Sequence, residues 1–237
     1  LRTVEFHELQ GDPTTLDGVT FIANSRFTAE RYRQNFGIDA TVIPPTLDPS
    51  LYRTQVKGEY VTFINPVEEK GLEKALAIAA LCPDIPFLFC ESWQLAPNDL
   101  DALRRSIAPY RNIRLQRRVE DIREVYSKTR LLLAPSKWAE AWGRVASEAH
   151  VNGIPVIGSD RGGLPEAIGP GGRVLSYDAP THEWASAVRD IWIDDKTRNT
   201  LASRARTYAS RPEMDGAHQF ETFLSLVEQT TQMKTAA

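Results

Sequence analysis

An α/β fold built on a Rossmann-like, doubly wound parallel sheet is what this sequence predicts, and three observations predict it. Short apolar, β-branched runs alternate with helical patterns through most of the chain. The strand runs are apolar throughout rather than at every second position, as in a parallel sheet covered on both faces. The residues able to carry chemistry stand at strand ends or just beyond them, where such sheets bind ligands.

In chain order the predicted strands are VTFIA (19–23), ATVI (40–43), YVTFI (60–64), PFLFC (86–90), NIRL (112–115), RLLLA (130–134) and PVIGS (155–159). Helical patterns lie between them at 25–36, 68–81, 98–110, 119–129 and 143–152. Leu72, Leu76 and Ala79 share one helix face, as do Ile122, Val125 and Tyr126. Residues 44–58, rich in proline and turn formers, read as a linker or domain crossing. From about residue 180 the pattern is helical, over 181–210 and 214–234, and there is no internal repeat.

At 237 residues and 42% hydrophobic composition, the chain can bury one large core or two modest ones. Its 28 basic and 31 acidic residues are well mixed and net to -3. That balance leaves no broad electrostatic footprint for nucleic acid or an anionic membrane. No run of eighteen apolar residues exists to span a bilayer. Cys82 and Cys90 are too few for a disulfide framework and read as core filling in a reducing, cytoplasmic setting. The first residue is Leu1 and no signal peptide is legible, so a fragment of a longer protein is expected.

Four features bear on chemistry. In NPVEEKG (65–71), Lys70 and Gly71 open a helix at the sheet's carboxyl edge, where amides and a cation suit a phosphate; the plainer alternative pairs Lys70 with Glu73. In EAWGRVASE, Glu140 and Glu148 would be separated by roughly 12 Å along a helix axis and turned by roughly 80°. They form no close carboxylate pair, but they fit opposite ends of an extended ligand, with backbone amides approaching at Gly143. The alternative there is one cap and one solvated charge. In GSDRGGLPE (158–166), Gly162 and Gly163 allow either an anion or sugar cradle or a plain turn. In RLQRRVED (114–121), Arg117 and Arg118 either flank a base or phosphate or are simply solvated.

Several classes lack their signatures. No G-x-G-x-x-G follows a strand and no Walker A loop is present. Four scattered histidines and two cysteines give no zinc spacing. The D-x-D at Asp99 and Asp101 falls at a helix start, where an acidic cap explains it.

Taken in order, KG (70–71), VYSKTRLLLAPS (125–136), Glu140 and Glu148 with seven residues between, and GIPVIGSDRGGLPE (153–166) resemble the C-terminal half of a family-4 glycosyltransferase with the GT-B fold. The resemblance runs from about residue 20 to the end. It implies transfer from a nucleotide-diphosphate sugar with retention of configuration and no bound metal or other cofactor. It also implies residue roles. Glu140 meets the donor sugar hydroxyls, Ala141, Trp142, Gly143 and Arg144 face sugar and diphosphate, and Glu148 holds the ribose. Lys70 neutralises the leaving diphosphate, and the segment with Arg118 and Val119 lies beside the base. Glu140 and Lys70 are thereby the catalytic pair, with Asn65, Gly162 and Gly163 completing the donor site. In domain terms, 1–45 is a remnant of the N-terminal acceptor domain, 46–215 the nucleotide-sugar domain, and 216–237 a helix packing back toward the first.

The sequence departs from the family at two places. Asn65 stands where members often carry an arginine, removing one diphosphate cation that Arg144 is placed to replace. From the resemblance, the rest of the N-terminal domain, with its acceptor site, is expected to be missing, and His7 lies too near the crossing to stand for the family histidine. The isolated chain is therefore expected to transfer little. A non-catalytic nucleotide-sugar-binding module is the alternative, and the acceptor and the donor base stay open.

Overall fold

The computed structural model of the chain describes residues 12–16 and 18–235. His7 and the rest of residues 1–11, Asp17 and the last two alanines lie outside the described residues. The front of the described chain is a small strand–helix–strand unit: β1 (Phe21–Ala23), α1 (Arg26–Phe36) and β2 (Ala40–Val42). Its two strands pair in parallel with each other. Ser25 caps α1 through Thr28, and Gly37 ends it at φ 67°.

After the proline-rich crossing come β3 (Tyr60–Ile64), α2 (Leu72–Leu81), β4 (Phe87–Cys90), α3 (Pro97–Ile107) and β5 (Ile113–Gln116). They are followed by α4 (Arg123–Lys128), β6 (Thr129–Ala134), α5 (Arg144–Val151), β7 (Val156–Ser159), α6 (Leu164–Ile168) and β8 (Gly172–Leu175). These six described strands form one parallel sheet in the order β5-β4-β3-β6-β7-β8. The chain winds outward from β3 in one direction and then from β6 in the other, which is the doubly wound arrangement expected. The switch point lies between β3 and β6, so a crevice opens beyond their carboxyl ends.

Alternation along the strands fills two core layers. Val61, Phe63, Phe89, Leu131 and Leu133 pack on one face against Ala75 and Ile78 of α2 and against Trp184, Val188 and Ile191 of α7 (Thr181–Ile193). Ile64, Leu88, Leu132 and Ala134 pack on the other against Val125, Tyr126, Ala146, Ala149 and Leu164. Trp184 is fully buried and donates its indole N–H to Ser176 O at 3.1 Å, so the largest core residue leaves no polar atom stranded. Cys82 belongs to the first layer and Cys90 to the second. Both are free, buried thiols, as the core-filling reading requires, and burial pushes the Cys90 thiol up to about 12.

Two of the differences from the sequence reading have a clear physical cause. β8 was missed because GRVL is a partly exposed edge strand with no continuous apolar run. The single helical stretch read over 181–210 is two helices, α7 and α8 (Asp195–Ala209). Asp194 divides them, accepting the Lys196 amide at 2.9 Å and the Thr197 hydroxyl at 2.6 Å as an N-cap.

The crossing is fastened at both ends. Asn152, just past α5, accepts the Thr54 amide at 2.8 Å and donates to Tyr52 O at 3.0 Å. Gln219 of α9 (Gly216–Thr235) donates to Pro44 O at 3.0 Å, and Thr230 meets Thr20 hydroxyl to hydroxyl at 2.6 Å. The last helix therefore lies against the front unit. Glu166 binds that unit from the other side, accepting the Arg26 and Phe27 amides at 3.0 and 2.8 Å. A carboxylate placed there suits the helix dipole.

Candidate functional site

The crevice at the switch point is a cavity of about 450 Å³ whose walls include Phe63 and Ile64 at the end of β3 with Asn65 just beyond it, and Ala134 at the end of β6 with Ser136 just beyond it. Lys70 reaches it from the turn before α2. Gly71 makes that turn possible: its φ is 86°, and a Cβ there would sit 1.9 Å from Pro135 O. The Lys70 ammonium donates to Glu140 Oε1 at 2.7 Å, with the two side chains only 15% and 14% exposed. Lys70 therefore bridges the loops after the neighbouring strands β3 and β6 rather than pairing with Glu73. Ser136 Oγ donates a short hydrogen bond to the same Glu140 oxygen. The Lys70 ammonium also lies 4.3 Å from the Trp138 ring centre and 5.1 Å from that of Trp93, distances at which ring faces attract a cation.

Glu140 is not a helix cap. Its backbone forms an isolated parallel bridge with Gly162, and Gly163 N donates to Glu140 O at 2.6 Å. A Cβ at Gly162 would sit 2.1 Å from Glu140 O, and one at Gly163 would sit 2.5 Å from Ala141 O. The two glycines serve by close approach to the Glu140 strand, and neither lies on the cavity wall.

Helix α5 begins beside the cavity. Gly143 precedes it at φ 102° with no side-chain cap, so its first amides face an open end. A Cβ at Gly143 would meet Leu164 at 2.6 Å. Ala141, Trp142, Gly143 and Arg144 all line the cavity, while the Trp142 indole is buried and donates to Ser147 Oγ at 3.0 Å. Arg144 is 56% exposed; it donates to the Tyr52 hydroxyl at 3.2 Å and stands 3.7 Å from Glu148 Oε1.

Glu148 sits where that cavity meets a second one of about 600 Å³, lined by Tyr52, Glu91, Arg118, Val119 and Ile122 among others. The Glu148 side chain is 12% exposed and accepts the Tyr126 hydroxyl at 2.6 Å. Burial raises its carboxyl above the usual carboxylate range, against the lowering effects of Tyr126 and Arg144. Arg118 is exposed on the wall of the second cavity. Arg117 is not merely solvated: its Nε lies 2.5 Å from Oε2 of the buried Glu91. Burial pushes the Glu91 carboxyl up, but the Leu95 amide, Arg117 and the Arg118 amide outweigh it and hold it below its ordinary value.

Asn65 has the positive φ, 57°, that suits its side chain. Its Oδ1 accepts the amides of Ser92 and Trp93 at 3.0 and 2.7 Å. The D-x-D stands apart from these groups, with Asp99 in the first turn of α3 and Asp101 3.1 Å from Arg104.

Residues 55–208 match the model of the family described as glycosyl transferases group 1, about two thirds of the chain. The chain belongs to that family. Among curated relatives, the D-inositol 3-phosphate glycosyltransferase of Corynebacterium kroppenstedtii is 33% identical over 113 residues, 47% of this chain and 23% of the relative. HepE of Anabaena, solved with UDP and glucose, superposes at a TM-score of 0.77 and 21% identity over 89% of this chain and 63% of its own. A glycosyltransferase of Rickettsia africae gives 0.75 and 16% identity over 93% and 65%. The chain thus spans about a quarter of that curated relative and under two thirds of either neighbour, and the structural likeness establishes a GT-B-type Rossmann-like fold.

In this group 1 glycosyltransferase domain, the sequence reading missed the partners that hold the site residues. Trp93 and Trp138 come from different loops, so no spacing links them to Lys70. Tyr126 was legible only as part of an apolar helix face.

Proposed function

We propose that the chain binds a nucleotide-diphosphate sugar across the β3/β6 crevice and forms the donor half of a retaining, metal-independent glycosyltransferase. The observation that carries this reading is the placing of one cation, two carboxylates and an uncapped helix start along a single pair of adjoining cavities. Family membership and the UDP and glucose bound by HepE support it.

The diphosphate takes the middle, against the α5 amides and Lys70, because amide dipoles and an ammonium stabilise negative charge there. Glu148 accepts from ribose hydroxyls and Glu140 from sugar hydroxyls, since a carboxylate offers several acceptor sites. The base lies in the second cavity by Arg118 and Val119. As the glycosidic bond breaks, charge grows on the departing diphosphate, and Lys70 with the helix amides meets it. Arg144 replaces the cation that Asn65 does not supply.

In this reading residues 12–45 with α9 belong to the acceptor side, and the full acceptor site needs sequence beyond this chain. Two free thiols on opposite sheet faces fit a reducing, cytoplasmic setting. Among the described residues no helix is long and apolar enough to cross a membrane. Titration calorimetry with UDP-glucose and GDP-mannose tests the reading: saturable binding of either supports it, lost in Glu148→Ala. Absence of binding for both donors and their free diphosphates overturns it.

A further inference from the structure

Lys70 carries the diphosphate in the reading above, and its surroundings show how its charge is kept ready for that task. A lysine on a flexible four-carbon stem ordinarily loses much freedom when fixed. Here two indoles flank the ammonium at 4.3 and 5.1 Å, and their ring centres are 6.5 Å apart with planes at 62°. Trp138 lies four residues past the end of β6. Trp93 is different: it is 49% exposed in the loop after β4, so packing alone covers only about half of it.

Asn65 supplies what packing does not. It is buried, stands in the left-handed region at φ 57°, and accepts the Ser92 and Trp93 amides together. Its own amide donates to Cys90 O at 2.8 Å, so it joins the ends of β3 and β4. Leu95 N, donating to Glu91 Oε1 at 2.9 Å, holds the far side of the same loop.

We propose that Asn65 and Trp93 are positioning residues that act through Lys70: Asn65 fixes the loop, and the loop holds the Trp93 ring against the ammonium. A ring face attracts the cation without neutralising it, so an arriving anion can draw Lys70 from Glu140 while its charge stays available. This inference rests on the donor-site reading.

The test compares UDP with uridine, and GDP with guanosine, by calorimetry on the whole chain. The wild type is expected to prefer a diphosphate to its nucleoside, and Trp93→Leu and Asn65→Gly to reduce that preference by about three- to tenfold. Trp93→Phe, which keeps a ring face, should restore most of it. A general loss of structure would weaken nucleoside and diphosphate alike and leave the ratio standing. If the wild type binds a diphosphate preferentially and both variants keep the full ratio, the positioning role is wrong and the donor-site reading survives. If the wild type shows no preference for either diphosphate, the donor-site reading itself fails.

Discussion

Lys70 and Glu140, seventy residues apart in sequence, meet at 2.7 Å across the switch point of the sheet. Each is mostly shielded from water, so their attraction is stronger than that of an exposed pair. A bound diphosphate would compete with Glu140 for the ammonium. Lys70→Ala should lower UDP or GDP affinity by about ten- to a hundredfold, the scale of a lost charge-assisted hydrogen bond. Calorimetry checks this, and a change below twofold would contradict it.

Arg144 is held between Tyr52 and Glu148 at the cavity edge. If it serves as the second diphosphate cation, Arg144→Ala weakens diphosphate binding several-fold without shifting the melting temperature. An unchanged affinity removes it from the site.

In the proposed donor site, Glu148 would combine binding with a cost in stability. Burial raises its folded-state pKa, so the folded chain holds this proton more tightly than the unfolded chain. Stability from this group therefore falls as pH rises from the ordinary carboxylate range through the raised folded value. Glu148→Gln should melt higher than the wild type at pH 7, with the gain shrinking in acid, while nucleotide affinity drops. Melting curves from pH 4 to pH 8 give the sign directly.

His150 has the opposite sign. Burial first, and then Arg211, depress its imidazole to about 4, and its Nδ1 lies 3.1 Å from Ala146 O. Tyr208 packs edge-on at 6.4 Å. The unfolded chain takes up this proton at a higher pH than the folded one, so the contribution is complete above pH 6.5 and is lost as pH falls toward 4. The full window is worth on the order of 3 kcal/mol. His150→Gln should flatten the stability profile over that interval, as measured by urea unfolding.

Glu166 closes the start of a helix 140 residues earlier. Glu166→Ala should cost about 1–2 kcal/mol, as loss of a cap does. Hydrogen exchange would locate it: the Arg26 and Phe27 amides and the β1–α1–β2 unit should exchange faster, with the six-stranded sheet unchanged. Uniform acceleration would contradict that local role.

The sheet was readable because parallel strands buried on both faces leave continuous apolar runs such as YVTFI and RLLLA. GRVL leaves no such run, pairing only with β7 among the described strands and being partly exposed. That Glu140 and Glu148 would share one candidate site was suggested by the sequence too, since they lie in one segment with Gly143, and both line the cavity. What holds them was not. The Lys70–Glu140 pair, the two indoles and the Asn65 clamp join separate loops, and such pairings are made by topology rather than by spacing. Asn65 illustrates this: in sequence it is a missing cation, and in the fold it is the residue that fastens the Trp93 loop.

The most direct measurement of the central claim is a crystal structure of the chain soaked with UDP-glucose or GDP-mannose. The account predicts diphosphate density between Lys70 and the first α5 amides, ribose hydroxyls on Glu148 and the sugar on Glu140. A donor bound elsewhere, or one whose diphosphate leaves the Lys70–Glu140 pair intact, would contradict it.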